Sequence, residues 1–190
     1  SYNFVDLSSN APTNQNDIIA STTNSVIINA GDGFDIINGS NQDDVLNGEA
    51  GDDLLIGNAG NDILNGGPGA DSFVFFSNQL FNSTINDDNG FVIVDNKVIA
   101  GLAQQQDISN FYNLGDKLIE LNDRNLTINL TNGSKININE FSNGDFGINL
   151  NDNPVINLTE IQGTLNQEHI IDIISSTSDS EENITLHSIT

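Results

Sequence analysis

Between residues 30 and 74 the apolar side chains arrive in pairs at a fixed interval, and nearly everything between the pairs is Gly, Asn or Asp. Aligned on that interval the chain reads AGDGFDIIN (30–38), GSNQDDVLN (39–47), GEAGDDLLI (48–56), GNAGNDILN (57–65) and GGPGADSFV (66–74). Two looser units precede them, PTNQNDIIA (12–20) and STTNSVIIN (21–29). A nine-residue period is too short for a helical repeat. Each short apolar segment is bounded by turn formers, so a unit predicts a short strand and a six-residue turn. Alternation along a strand sends the seventh and eighth positions to opposite faces. The eighth-position row, Ile19, Ile28, Ile37, Leu46, Leu55, Leu64 and Phe73, is expected to fill an interior. The seventh-position row, Ile18, Ile27, Ile36, Val45, Leu54 and Ile63, then faces outward, where it either docks a neighbouring surface or is partly covered by the twist of the sheet. One unit cannot bury its apolar side alone, whereas stacked units can, and a fixed period therefore predicts a solenoid.

The sixth position adds chemistry to this frame. It holds Asp35, Asp44, Asp53, Asp62 and Asp71, with Asp17 in the first degenerate unit and Val26 in the second. If a nonapeptide is half a turn, units two apart stack on one edge at about 4.8 Å. That pairs Asp35 with Asp53, Asp44 with Asp62, Asp53 with Asp71 and, in a weaker unit, Asp17 with Asp35. Two bare carboxylates at ~4 Å repel by about 1 kcal/mol in water and about 4 kcal/mol at an effective dielectric of 20. A hard cation reverses the sign. Calcium accepts six to eight oxygens in flexible geometry, magnesium demands a rigid octahedron, and zinc prefers His or Cys, so calcium suits these residues best. Gly31, Gly33, Gly48, Gly51, Gly57, Gly60, Gly66 and Gly69 are expected to take φ > 0, curl the backbone round the ion and offer carbonyls to it. In unit 39–47, Ser40 and Gln42 stand where glycines sit elsewhere, which weakens the carbonyl cage there.

Charge points the same way. The 190 residues carry 27 Asp and Glu against 4 Lys and Arg, a formal net charge of −23, and the basic residues Lys97, Lys117, Arg124 and Lys135 all lie outside the repeats. Such a surface repels nucleic acid and anionic membrane, and its self-repulsion opposes folding until cations neutralise it. Neither nucleic-acid binding nor membrane insertion is expected, since no run approaches the ~20 apolar residues of a span. There is no Cys. His169 and His187 stand eighteen apart in the C-terminal stretch, without a nucleophile or zinc motif beside them, so no catalytic site is expected. The opening SYNFVDLSSN lacks a basic and apolar leader pattern, so export is expected by another route, and the chain reads as a segment of a longer protein.

These units resemble the RTX (repeat-in-toxin) nonapeptide G-G-x-G-x-D-x-U-x. GGPGADSFVF is similar to a last RTX repeat, and DISNFYNLGDKLIEL (107–121) is similar to the segment that follows RTX repeats in secreted proteases, lipases and adhesins. The resemblance implies an all-β chain, with a right-handed parallel β-roll holding calcium in its turns, a β-rich cap, and a C-terminal signal read by a type I secretion machine. It assigns calcium-ligand roles to the five repeat aspartates and the turn glycines named above, with about three to five ions in all.

The resulting organisation is a lead-in (1–11), a β-roll (12–74, with degenerate repeats at 12–29 and calcium-binding repeats at 30–74), a β-rich flanking region (75–163) and an acidic tail (164–190) matching a type I secretion signal. Within the flanking region Asn132-Gly133, between alternating apolar runs, predicts a hairpin. FVIVDNKVIAG, FGINL and PVINL predict further strands, and Phe111 and Tyr112 are read as core aromatics. The expected function is a module that folds on meeting extracellular calcium and supports type I secretion of a larger adhesin, hydrolase or toxin, placing it outside the cell or at its surface. Calcium, the secretion machinery and upstream domains are its expected partners. The alternative is a carbohydrate-binding accessory module contacting a polysaccharide or a cell surface, for which the only basic ground is Lys97 to Lys135.

Overall fold

Within the repeats, hydrogen-bonded strands lie eighteen residues apart, two nonapeptides, because successive strands alternate between two sheets: Ile18 pairs with Ile36 and Ile36 with Leu54, while Ile27 pairs with Val45 and Val45 with Ile63. A computed structural model of the chain describes residues 3–5, 11–21, 24–105 and 110–151. The acidic tail, PVINL, both histidines and residues 106–109, which include the first three of the DISNF segment, lie outside the described residues.

One sheet contains β1 (Asn3–Val5), β2 (Asp17–Ala20), β4 (Ile36–Asn38), β6 (Leu54–Ile56), β8 (Ser72–Phe75), β10 (Phe91–Val94) and β11 (Lys97–Val98), in that order. The other begins with β3 (Ile27–Asp32), β5 (Val45–Ala50), β7 (Ile63–Asn65) and β9 (Asn82–Asn86). All pairings among β1 to β10 are parallel, giving a β-solenoid of about four turns. The eighth-position row from Ile19 to Phe73 fills the space between the sheets, each side chain no more than 1% exposed, and each such burial contributes about 1.5–3 kcal/mol. The seventh-position row faces outward, with Ile27 and Ile63 exposed and Ile18, Ile36, Val45 and Leu54 half-buried.

The parallel stack outlasts the repeat at both ends. Asn3 to Val5, in the lead-in, pairs in parallel with Asp17 to Ile19. Beyond residue 74, β9 stacks on β7 and β10 on β8, although neither carries the nonapeptide pattern. The register step changes here, since Ile63 pairs with Thr84 and Ser72 with Phe91. No division therefore falls where the repeat ends.

The flanking region extends the second sheet. β16 (Lys135–Ile138) pairs in parallel with β9, and β15 (Asn125–Asn129), β14 (Lys117–Asn122), β13 (Phe111–Leu114) and β12 (Gly101–Gln105) follow as an antiparallel meander, ended by β17 (Ile148–Asn151) alongside β12. Asn132-Gly133 lies in the β15–β16 hairpin, where the Gly133 N–H donates to the Leu130 carbonyl at 3.0 Å. Tyr112, Ile119, Leu126, Ile128, Ile136 and Ile138 continue the core of the repeats without a break. Phe146 packs edge-on against Phe73 of the last repeat, ring centres 6.1 Å apart. A ladder of amides spans the same junction: Asn47 donates to Asn29 (2.6 Å), Asn65 to Asn47 (2.5 Å), Asn86 to Asn65 (2.7 Å) and Asn139 to Asn86 (2.7 Å). Such a ladder pins strand register by satisfying each amide with its stacked neighbour.

Candidate metal centre

The turns leading into β2, β4, β6 and β8 end in Asp17, Asp35, Asp53 and Asp71, one above another along a single edge, all fully buried. The eighteen-residue stacking fixes each carboxylate by backbone. Oδ1 of Asp35 accepts the Asp17 N–H (2.7 Å), Oδ1 of Asp53 the Asp35 N–H (2.8 Å), and Oδ1 of Asp71 the Asp53 N–H (2.7 Å). The second oxygens fare differently. Oδ2 of Asp35, Asp53 and Asp71 is buried and receives no hydrogen bond, a state that costs free energy unless another group supplies positive charge. Asp17, at the start of the row, receives the Thr13 N–H (2.6 Å) and hydroxyl (3.1 Å).

Asp44 and Asp62 stack on the opposite edge, where Oδ1 of Asp44 accepts the Val26 N–H (2.9 Å) and Oδ1 of Asp62 the Asp44 N–H (3.0 Å). Here both second oxygens find donors. Oδ2 of Asp44 takes the Ser40 N–H (2.6 Å) and hydroxyl (3.1 Å), and Oδ2 of Asp62 takes the Ser83 hydroxyl (3.1 Å). The two edges of one repeat thus differ in chemistry: the Asp53 edge has orphaned carboxylate oxygens, and the Asp62 edge is closed by serines.

The glycines divide by role. Gly31, Gly33, Gly51, Gly60 and Gly69 have positive φ as expected, and so does Gly67. At Gly51 (φ 139°) a Cβ would also overlap the Gly33 carbonyl oxygen stacked beside it. Gly48, Gly57 and Gly66 depart from the expectation, for their φ is not in the left-handed region. They are glycine for space. A Cβ at Gly48 would overlap Oδ2 of Asp53 and lie 2.7 Å from the Gly66 carbonyl oxygen; at Gly57 it would overlap Oδ2 of Asp62. Oxygen thus fills the hollow that the missing side chain leaves.

Burial is the first cause of the electrostatics. It pushes the Asp53 and Asp62 carboxyls up to about 6 against the relief of one backbone N–H each, with Asp35 and Asp44 as respective like-charged neighbours. Asp35 is raised by burial and by Asp17 and Glu49, and Asp71 by burial and by Asp53 and Asp52. A divalent cation inverts that logic. Among the described residues no three acidic or histidine side chains converge on one point, so carboxylates come two at a time and carbonyls must complete a shell. Orphaned carboxylate oxygens, adjoining glycine carbonyls and, among the described residues, no nitrogen or sulfur ligand beside them fit calcium, with Asp35, Asp53 and Asp71 as the residues that would hold it.

Three residues here carry no repeat signature. Ser40 and Ser83 are the donors that close the Asp62 edge, legible only as hydroxyls in turn and strand positions. Asp87 lies beyond the last repeat, and burial together with the facing Asp71 pushes its carboxyl up to about 7. Its local signal is the turn DDNG, in which its Oδ1 accepts the N–H groups of Asp88 (2.7 Å) and Asn89 (2.9 Å).

A family profile described as the RTX calcium-binding nonapeptide repeat (4 copies) matches residues 13–46, 27–55 and 39–73. No curated protein matches the chain. The matched residues coincide with the stacked turns and strands of the solenoid, so this part of the chain is an RTX β-roll, a calcium-binding module that is structural and not catalytic.

Proposed function

We propose that the RTX β-roll at residues 13–73 is a calcium-triggered folding module, and that it supports type I secretion of a larger exported adhesin, hydrolase or toxin. The observation that carries this reading is the row of buried carboxylate oxygens without donors on Asp35, Asp53 and Asp71. In a cytosol poor in calcium, that row and the net charge of −23 oppose the fold and keep the chain extended enough to thread. Outside, millimolar calcium meets sites of about 10⁻⁴–10⁻³ M affinity. Each occupied site then adds RT ln(1 + [L]/Kd), about 1 kcal/mol or more, and several sites sharing one edge act together.

The principal calcium row lies between the stacked turns of Asp35, Asp53 and Asp71, with Asp17 at its start and carbonyls of the turn glycines Gly31, Gly33, Gly48, Gly51, Gly66 and Gly69 completing the shells. Asp44 and Asp62, with Gly57 and Gly60, form a second edge of lower calcium demand, because serine hydroxyls already donate to the second oxygen of each carboxylate. Folding after exit also opposes back-sliding through the secretion channel. Far-ultraviolet circular dichroism of the 190-residue chain in chelator is expected to show coil, and calcium should restore β signal cooperatively. An equal β spectrum in chelator overturns the proposal.

A further inference from the structure

The turn after β9 is two residues shorter than its predecessor, running 87–90 where the last repeat has 66–71. The shortening removes the sixth-position acid. Gly90 stacks beyond Asp71 instead, and the Phe91 N–H donates to the Asp71 carbonyl oxygen (2.7 Å). The register Asn65 with Asn86 places Asp87 beside Gly66, the first position of the last repeat turn. From there its carboxylate swings over Gly66, whose missing Cβ leaves a hollow filled by Oδ2 of both Asp87 and Asp71. Both oxygens are buried and without a hydrogen-bond donor, and Asp71 is 0% exposed. Two ionised carboxylates brought together over one glycine and away from water repel strongly. Oδ1 of Asp87 already caps its turn, so the meeting of its Oδ2 with Asp71 leaves a gap between two carboxylates that either a shared proton or a cation must fill.

We propose that Asp87 and Asp71 form one additional calcium site, outside the nonapeptide repeat, which closes the ion row where the roll meets its cap. The site takes a hard divalent cation, since its side-chain donors are carboxylate oxygens. A cleft of about 300 Å³ lined by Gly67, Asn86, Asp87, Asp88, Asn139 and Glu140 gives the ion an acidic entry path. Asp87 thereby substitutes for the missing sixth-position acid of the next unit and carries calcium dependence into β9 and β10.

This inference rests on the calcium reading above, and one experiment separates the two. Calorimetric titration with calcium alone is run on the full chain and on Asp87→Asn, which keeps an oxygen to cap the turn while losing the charge. Wild type is expected to bind one more ion than the variant, while the remaining ions bind with affinities changed less than about threefold, a small coupling by allosteric standards. Equal stoichiometry and affinity in the two proteins overturn the Asp87 site and leave the calcium reading intact. If wild type binds no calcium, both fall. Should Asp87→Asn not fold in calcium, Asp87→Ser supplies the comparison, its hydroxyl still able to accept from Asn89, and the same loss of one ion is expected. Asp123→Asn, an exposed carboxylate in the turn between β14 and β15, should leave the count unchanged; loss of an ion there overturns the assignment to Asp87.

Discussion

Replacing Asp53 by asparagine separates the two roles of a repeat aspartate. The amide keeps an oxygen to accept the Asp35 N–H, and the Asp53 N–H still donates to Asp71, so the stacking hydrogen bonds survive. What disappears is the charge and the orphaned Oδ2 beside Gly48. Asp53 titrates at about 6 in the folded chain. Against an unfolded value near 3.9, that shift of roughly two units at about 1.4 kcal/mol each costs the folded state on the order of 3 kcal/mol at neutral pH. In chelator Asp53→Asn should therefore stabilise the fold, by up to about 3 kcal/mol and roughly 6–12 °C at ~2–4 °C per kcal/mol for a chain of this size. With calcium the sign reverses. Asp53 faces two stacked neighbours, so the variant loses ligand charge in two sites, and its calcium-induced rise in Tm should fall by several degrees. Thermal unfolding followed by circular dichroism, at one pH with and without calcium, reads both numbers, the calcium-free melts being run in a stabilising osmolyte that populates a fold otherwise lost in chelator. A variant destabilised equally in both media would refute the reasoning, because it would make Asp53 an ordinary hydrogen-bonding residue.

Calcium-free stability should fall as pH rises: Asp53 and Asp62 titrate at about 6 when folded, above their unfolded value, so their contribution is complete below ~4 and lost as pH passes through ~6. A pH series of melts in chelator and the same osmolyte checks this, and a calcium-free protein more stable at neutral than at mildly acid pH contradicts it. Ser83→Ala removes the hydroxyl that donates to Asp62 Oδ2 and accepts from its N–H (3.3 Å), at a cost of about 1–3 kcal/mol in chelator with the osmolyte present, and calcium should recover part of it; a loss that calcium leaves unchanged argues against latent calcium demand on that edge. Leu55→Ala, fully buried between the sheets, should cost about 2–5 kcal/mol by denaturant titration in calcium without changing the number of ions bound.

The repeat was legible because each of its layers obeys one rule. Apolar pairs at a nine-residue spacing define which face is buried, and the eighth-position row from Ile19 to Phe73 is the interior. Glycine was only half legible. Left-handed backbone explains Gly33 or Gly51, but Gly48 and Gly66 are required by a carboxylate that reaches across the turn, which spacing alone does not reveal. The difference between the edges was hidden for a similar reason. Ser83 reaches Asp62 only because the register step changes after the last repeat, and a change of register leaves no periodic trace. Continuity of roll and cap was equally hidden. The amide ladder joins Asn65 to Asn86 and Asn139, positions that no local pattern relates.

Calcium positions themselves bear most directly on the central claim. Anomalous scattering from crystals grown in calcium should give a row of peaks between the stacked turns of Asp35, Asp53 and Asp71, each within ~2.3–2.6 Å of carboxylate and glycine carbonyl oxygens. Crystals with no peaks along that edge, or with peaks only beside Asp44 and Asp62, would contradict the account.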